Sequence, residues 1–153
     1  MDVKIIHHTN AQDEQINLFE EASGFKLPAK FRVFVKEYDG AELGENYVKN
    51  FEYIKIERFL PVTTILKRRN DIEGFNTKMI PIAECPSGDY VYISAEDNGI
   101  YYWDHENEGA DLIIAHNFES FLEKIIPDLK DYSSLKPDVE AVWVDPDFKP
   151  VFD

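Results

Sequence analysis

The chain has 153 residues and a formal net charge of −14, and 44% of its residues are hydrophobic. This length and composition fit one globular domain with a sizeable core, and no apolar run is long enough to span a bilayer. The acidic balance argues against nucleic acid or an anionic membrane surface as a partner, because binding to phosphates demands Lys and Arg.

Location and redox chemistry are indicated by the N-terminus and by cysteine usage. The N-terminus lacks the basic and apolar regions of a secretory signal, so we expect a cytoplasmic protein. Cys85 is the only cysteine, which excludes an internal disulfide and a thiolate zinc cage. No local pattern supplies a histidine base for a catalytic thiol, so we expect Cys85 to be a small buried filler.

The N-terminal segment predicts a strand followed by a helix. The strand covers residues 3–6, and the helix covers about residues 12–22 with Thr9 or Asn10 as its cap. The apolar residues of this helix are expected to form one buried stripe, and they are Ile16, Phe19 and Ala22.

A second helix is indicated more clearly by the stretch GFKLPAKFRVFVKEYDG. Pro28 stands at the first helical turn, and Gly40 is the expected stop. Its apolar residues recur at i, i+3, i+4 and i+7, which predicts an amphipathic helix packed on a core; they are Phe31, Phe34, Val35 and Tyr38.

The middle of the chain predicts a polar loop at residues 41–50, then short strands at 51–54 and 56–60. Thr63 or Thr64 is expected to cap a third helix that ends at Gly74. The densest basic group of the chain forms the charged side of that helix; its members are Lys67, Arg68 and Arg69.

From Met79 the apolar period changes to two, which predicts an antiparallel meander. The strands read MIPIAE, DYVYIS and GIYYWD, and turn-forming residues separate them. Asn98-Gly99 predicts a hairpin turn with positive φ at both central positions. Pro81 cannot donate to a ladder, so we place it on an edge strand or near the start of its strand.

The last elements are a strand over residues 112–116 and a helix capped by Asn117 that ends near Pro127. Helices beside a run of antiparallel strands predict the α+β class, a single domain with helices packed on a bent, mainly antiparallel sheet. The strands around Tyr90 and Tyr101 carry large residues on both faces, so the second face is either covered by the C-terminal tail or used for binding.

The domain is expected to cover residues 1–131, with an acidic, partly apolar extension over residues 132–153. Prolines and acids in this extension suggest a linker. Its apolar residues are too many for a solvated tail, so we expect much of it to pack on the domain or to contact a partner.

Charge is distributed unevenly along the chain. Residues 79–123 contain no Lys or Arg. They hold ten carboxylates: Glu84, Asp89, Glu96, Asp97, Asp104, Glu106, Glu108, Asp111, Glu119 and Glu123. This block is either a solvated acidic surface that keeps the protein soluble or a face that docks on a basic partner.

The sequence YYWDHENEG, residues 101–109, has the residue types of a metal or acid/base site. In a strand, however, Asp104 and His105 point to opposite faces, and His116 lies on a separate element, so we predict no metal ion here. No phosphate-binding glycine loop and no GxSxG elbow occur either. We therefore predict no enzymatic activity and no cofactor.

The order and the residue sequences of these segments resemble those of the SUKH superfamily, which includes bacterial immunity proteins related to fungal cell-wall-assembly regulators. The matching stretches are LPAKFRVFVKEYDGAEL, MIPIAE followed by SGDYVYIS, GIYYWDHENEG and HNFESFLEKI, within about residues 12–126. The resemblance implies an α+β fold without catalytic residues, and bacterial members bind and block a secreted toxin in the producing cell.

The resemblance makes a cognate toxin domain, such as a nuclease with a basic cleft, the expected partner, and we expect the chain itself to be a monomer or weak homodimer. The expected contact residues are carboxylates on turns and two aromatic anchors: Glu96, Asp97, Tyr101, Trp103, Asp104, Glu106, Glu108 and Asp111. A regulatory scaffold, a small-ligand-binding module, or an enzyme with an unrecognised carboxylate pair remain open as alternatives.

Overall fold

A computed structural model describes residues 1–107 and 111–129. In this part of the chain four α-helices and two antiparallel sheets form an α+β domain, which confirms the predicted class. The large sheet has seven strands, which in spatial order are β1 (Ile5–Thr9), β2 (Asp39–Leu43), β4 (Arg58–Phe59), β5 (Met79–Glu84), β6 (Tyr90–Ser94), β7 (Ile100–Trp103) and β8 (Leu112–Ala115). The second sheet pairs β3 (Asn46–Val48) with β9 (Ile125–Pro127). Glu108 and the predicted extension, residues 132–153, lie outside the described residues.

The first two helices lie side by side, and a carboxylate on the first helix links them. Strand β1, Ile5–Thr9, leads into α1, Asp13–Ser23, and α2 covers Ala29–Tyr38. Glu20 accepts a hydrogen bond from the backbone N–H of Leu27 at 2.8 Å and from the Arg32 guanidinium at 3.0 Å. This carboxylate therefore fixes the turn between α1 and α2.

Two details of the first helix differ from the prediction. Thr9 and Asn10 do not cap it; Gln12 is the N-cap residue, and its N–H donates to the side chain of Gln15 at 2.8 Å. Ala22 is exposed, so the buried stripe consists of Ile16 and Phe19.

The second helix matches the prediction at its core face but ends differently. Phe31, Phe34 and Val35 are buried, as expected. The helix ends at Tyr38, because Asp39 is already extended and begins β2, Asp39–Leu43. Gly40 lies in that strand with φ of 66°, and a Cβ there would meet Pro61 Cγ at 3.0 Å.

The predicted loop at residues 41–50 is wrong, because this stretch holds the end of β2 and all of β3, Asn46–Val48. The predicted strand at 51–54 is also absent, and of residues 56–60 only Arg58–Phe59 forms a strand, β4. A buried side chain explains the difference. The Asn46 side chain accepts a hydrogen bond from the N–H of Ile56 at 3.0 Å and donates one to the carbonyl of Ile56 at 2.8 Å. This side-chain amide therefore makes the two backbone hydrogen bonds that a neighbouring strand would otherwise make.

The third helix, α3, covers Ile65–Asp71 and follows a 3-10 helix at Val62–Thr64. Thr64 is its N-cap residue, but the Thr64 hydroxyl donates to the carbonyl of Pro61 at 2.8 Å and makes no cap hydrogen bond to the helix. The helix ends at Asp71, three residues before the predicted stop at Gly74.

The antiparallel meander is confirmed. It consists of β5, Met79–Glu84; β6, Tyr90–Ser94; β7, Ile100–Trp103; and β8, Leu112–Ala115. In the β6–β7 turn Asn98 has φ of 61°, but Gly99 is not left-handed, so the expected positive φ at both positions is wrong.

Pro81 is not at an edge, since β5 lies between β4 and β6, but it is the third residue of β5 and so lies near the start of its strand, the other expected placement. The short β4 pairs only with Ala83 and Glu84, and a register irregularity follows Pro81 in its pairing with β6. The sheet therefore accommodates the missing donor where the ladder is already interrupted.

The chain described here closes with α4, Phe118–Lys124, and β9, Ile125–Pro127. Asn117 caps α4 as predicted, because its side chain accepts the N–H of Ser120 at 2.7 Å. No helix among the described residues is long and apolar enough to cross a membrane.

The main core lies between the helices and one face of the large sheet. Its centre is a group of phenyl rings from α2, β4 and α4. Phe34 contacts Phe59 with ring centroids 4.7 Å apart and Phe118 at 5.3 Å, and Phe31 contacts Phe118 at 4.8 Å. These contacts hold α2 and α4 on the sheet.

The opposite face of β6 and β7 carries a second apolar cluster. Met79, Tyr92 and Trp103 are buried there. Phe75 covers them, with its ring centroid 5.0 Å from that of Trp103 and 5.7 Å from that of Tyr92. Within the described residues, the cover of this second face is therefore the segment after α3, which the sequence did not indicate.

Replacing Phe34 by alanine is expected to lower the free energy of unfolding by about 3–5 kcal/mol, because it opens a cavity between three rings. The neighbouring Val33→Ala is the matched control. Val33 is 63% exposed on the same helix, so its loss is expected to change stability by less than about 0.5 kcal/mol. Urea unfolding followed by circular dichroism measures both variants, and equal losses would contradict this packing.

Candidate partner-binding surface

The predicted contact residues lie at both ends of the β6–β7 hairpin. Glu96 and Asp97 are in the turn that joins the two strands, and Asp104 and Glu106 follow the end of β7. The four residues of β7 separate the two groups by roughly 13 Å, at about 3.3 Å per residue. The hairpin therefore presents two acidic groups instead of one.

The turn group is joined to Asp111 by a pair of stacked tyrosines. Asp97 accepts a hydrogen bond from the Tyr101 hydroxyl at 3.1 Å, and the Tyr101 ring stacks on Tyr92 with centroids 5.4 Å apart and planes 12° apart. The Tyr92 hydroxyl donates to Asp111 Oδ2 at 2.5 Å. Sequence reasoning chose Asp97, Tyr101 and Asp111 but missed Tyr92, which connects them.

These contacts change the titration of the two tyrosines. Burial and the hydrogen bond to Asp111 raise the pKa of Tyr92, and partial desolvation and the hydrogen bond to Asp97 raise the pKa of Tyr101. Both hydroxyls therefore stay protonated and donate to carboxylates at neutral pH. Among the described residues Asp111 Oδ1 is a buried oxygen without a hydrogen-bond partner.

Trp103 does not fit the role of an exposed anchor. It is 4% exposed and packs against the rings of Phe75 and Tyr90. A partner could reach it only if the segment around Phe75 moved. Tyr101 is the predicted aromatic that remains partly exposed.

At the other end of the hairpin, Asp89 collects three hydrogen bonds. Its Oδ1 accepts the backbone N–H of His105 at 3.1 Å and lies 2.7 Å from His105 Nδ1. Its Oδ2 accepts the hydroxyl of Tyr102. Asp89 was counted in the acidic block, but its role in organising this end was not predicted.

The prediction that Asp104 and His105 point to opposite faces is wrong. Strand β7 ends at Trp103, so the alternation of a strand no longer applies to them. One ligand-type atom each from Asp89, Asp104 and His105 lie within 4.8 Å of one another. Two carboxylates and an imidazole are a donor set that a divalent ion can use.

The Asp89–His105 contact shifts the pKa of both groups. Burial raises the pKa of Asp89, but the hydrogen bonds from Tyr102 and His105 outweigh it, so the net shift is downward. The hydrogen bond to Asp89 raises the pKa of His105. The pair is thus stabilised as carboxylate and imidazolium.

Cys85 lies next to this group and is buried, as predicted. Burial raises the pKa of its thiol, and the nearby charge of Asp89 raises it further. The thiol is therefore neutral at physiological pH, and a neutral thiol is a poor nucleophile.

Comparison with known protein families shows what this chain is similar to. A family model described as SUKH_6, SMI1-KNR4 cell-wall, matches residues 13–122, from the start of α1 into α4. The matched region contains both ends of the hairpin. A comparison with curated proteins gave no match.

The neutral, buried Cys85 thiol is expected to react with a thiol reagent such as DTNB only when the protein unfolds. We expect the native rate to be lower than that of a urea-unfolded sample by at least about a hundredfold. Rapid labelling of the native protein would contradict the burial of this side chain.

The raised pKa of His105 predicts a pH-dependent contribution to stability. The contribution is fully present below the ordinary histidine pKa of about 6.5 and is lost as pH rises through the raised pKa of the folded state. NMR titration of the imidazole is expected to give a lower pKa for His105 in Asp89→Asn than in the unmodified chain. The same pKa in both proteins would show that Asp89 does not hold the imidazolium.

Proposed function

The chain belongs to the SUKH superfamily, within its SMI1-KNR4 family, and from this premise we propose that it is an immunity protein. It binds a cognate secreted toxin domain in the cytoplasm of the producing cell and blocks it by occlusion. The proposal includes no catalytic step, and the neutral thiol of Cys85 is consistent with that.

The observation that carries this proposal is the set of carboxylates that the domain leaves without a lysine or arginine partner. Within the described part of residues 79–123, Glu84, Glu96 and Glu119 form salt bridges with Arg68, Lys78 and Lys30. No such bridge to Lys or Arg is found among the described residues for the other six: Asp89, Asp97, Asp104, Glu106, Asp111 and Glu123.

Three of them, Asp97, Asp104 and Glu106, are exposed or half-buried at the ends of the hairpin, where a partner can approach. Uncompensated charge of one sign attracts a partner of the opposite sign and accelerates its association, most strongly at low salt. A toxin domain with a basic catalytic cleft, such as a nuclease, has the complementary charge. Binding there would cover the cleft.

A small-ligand-binding module of the cell-wall-regulator type is the second candidate. The observation in its favour is a pocket of about 260 Å³ beside Asp89 and Tyr102. A toxin gene adjacent to the gene for this chain would favour immunity, whereas stabilisation by a metabolite in a thermal-shift screen would favour the module.

Reversing the charges of Asp104 and Glu106 to lysine is expected to weaken binding to the toxin domain encoded next to this chain by at least about tenfold at low salt. The loss is expected to shrink at high salt, because screening already weakens the attraction in the unmodified protein. Biolayer interferometry at two salt concentrations measures both effects.

The matched control reverses Glu14 and Glu21 on α1, which changes the net charge by the same amount on exposed side chains outside the hairpin. We expect the control to change affinity much less than the hairpin variant. Equal losses would assign the effect to net charge alone, and unchanged, salt-insensitive binding of both variants would remove the hairpin from the interface.

A further inference from the structure

The pocket at the Asp89 end of the hairpin combines an exposed aromatic ring, Tyr53, with a carboxylate, Asp89, that hydrogen bonds fix in place. Tyr53 is 67% exposed at its rim, and its ring meets Tyr102 edge-on with centroids 6.2 Å apart. Asp89, Ser87 and Lys55 line the same pocket. The Asp89 side chain is 13% exposed, so its charge is partly desolvated.

We propose that this pocket receives a basic side chain of the protein partner, an arginine, with its guanidinium on the Tyr53 ring and directed at Asp89. The existence of such a protein partner rests on the proposed function. The arginine would be the anchor of the interface, and the surrounding carboxylates would form its rim.

Charge around the pocket favours a cation. Asp104 has a carboxylate oxygen within 4.8 Å of the ligand atoms of Asp89 and His105, and Glu106 Oε2 lies 3.6 Å from His105 Nε2. Lys55 is the one ammonium in the lining, and it is in a salt bridge with Asp128 at 3.2 Å. Negative charge still predominates, because two cations, Lys55 and the His105 imidazolium, face four carboxylates: Asp89, Asp104, Glu106 and Asp128.

Asp89 can accept one more hydrogen bond. A carboxylate has about four lone-pair positions, and Tyr102, the His105 ring and the His105 backbone N–H occupy three. A guanidinium supplies a donor in a plane that can also lie over a tyrosine ring. It needs none of the existing contacts to break.

Two other occupants fit less well. The pocket of about 260 Å³ lies just below the range of about 300–1,000 Å³ that drug-sized ligands and cofactors use, and one long side chain can fill it. A divalent ion would need the Asp89 and His105 atoms that are now joined by a 2.7 Å hydrogen bond, so it would have to displace that proton.

The test uses the full chain labelled with ¹⁵N and titrated with N-acetyl-arginine amide, a probe with one guanidinium and no carboxylate. We expect millimolar binding with amide shifts concentrated at Tyr53, Ser87 and Asp89. The neutral N-acetyl-norleucine amide is expected to leave these amides unshifted. Manganese and zinc chloride in parallel titrations examine the divalent alternative.

Two substitutions at the same position separate ring chemistry from shape. Tyr53→Leu is expected to weaken the arginine probe by about two- to fivefold, the fold-change of an exposed cation–π contact, whereas Tyr53→Phe keeps the ring and the affinity. Leu18→Ala, an exposed residue on α1, is the control and is expected to change nothing.

The proposal is overturned if the arginine probe produces no localised shifts at these amides. It is equally overturned if a metal ion shifts them and the arginine probe does not. Such a result leaves the proposed function intact if the toxin domain still binds and if charge reversal at Asp104 and Glu106 still weakens its affinity. The converse, a pocket that binds the probe in a chain that no toxin engages, would remove the proposed function and keep the guanidinium site.

Discussion

The structure depends on one constraint: strands β6 and β7 carry large apolar residues on both faces, so both faces must be covered. Ile93 and Ile100 point into the main core under the helices, while Tyr92 and Trp103 point the other way. The segment around Phe75 provides the second cover. With the middle of the hairpin enclosed on both sides, its polar chemistry is concentrated at its two ends.

This arrangement explains why the candidate surface has two parts. A strand places alternate residues on opposite faces, but the alternation ends with the strand. Beyond Trp103 the backbone turns, which lets Asp104 and His105 approach the same carboxylate, Asp89. At the other end the turn brings Asp97 to the hydroxyl of Tyr101. The sites lie where the regular geometry stops.

The same distinction decides how much could be predicted from the sequence. The second helix, the meander and the Asn117 cap follow from local patterns, because apolar spacing and capping act within a few residues of chain. Strands β2 and β3 could not be predicted in this way, since β2 pairs with β1 and β4, and Asn46 of β3 reaches the backbone of Ile56 ten residues later. The carboxylates of the surface were found by counting charge, Asp89 among them, whereas the roles of Asp89, Tyr92 and Tyr53 were missed because these roles arise from pairing across strands and loops.

Two carboxylates at the hairpin, Asp97 and Asp111, are held by tyrosine hydroxyls and by no cation among the described residues, and this choice of donor preserves their charge. Tyr101 donates to Asp97 and Tyr92 to Asp111, whereas Asp89 accepts the hydroxyl of Tyr102 and also pairs with the His105 ring. A lysine or arginine would orient a carboxylate equally well but would cancel its field, as Lys78 does for Glu96. A neutral hydroxyl fixes the oxygen and leaves the negative charge to act on whatever approaches. Side chains that are already ordered also lose little entropy on binding, so a basic partner gains the Coulomb attraction at a lower ordering cost.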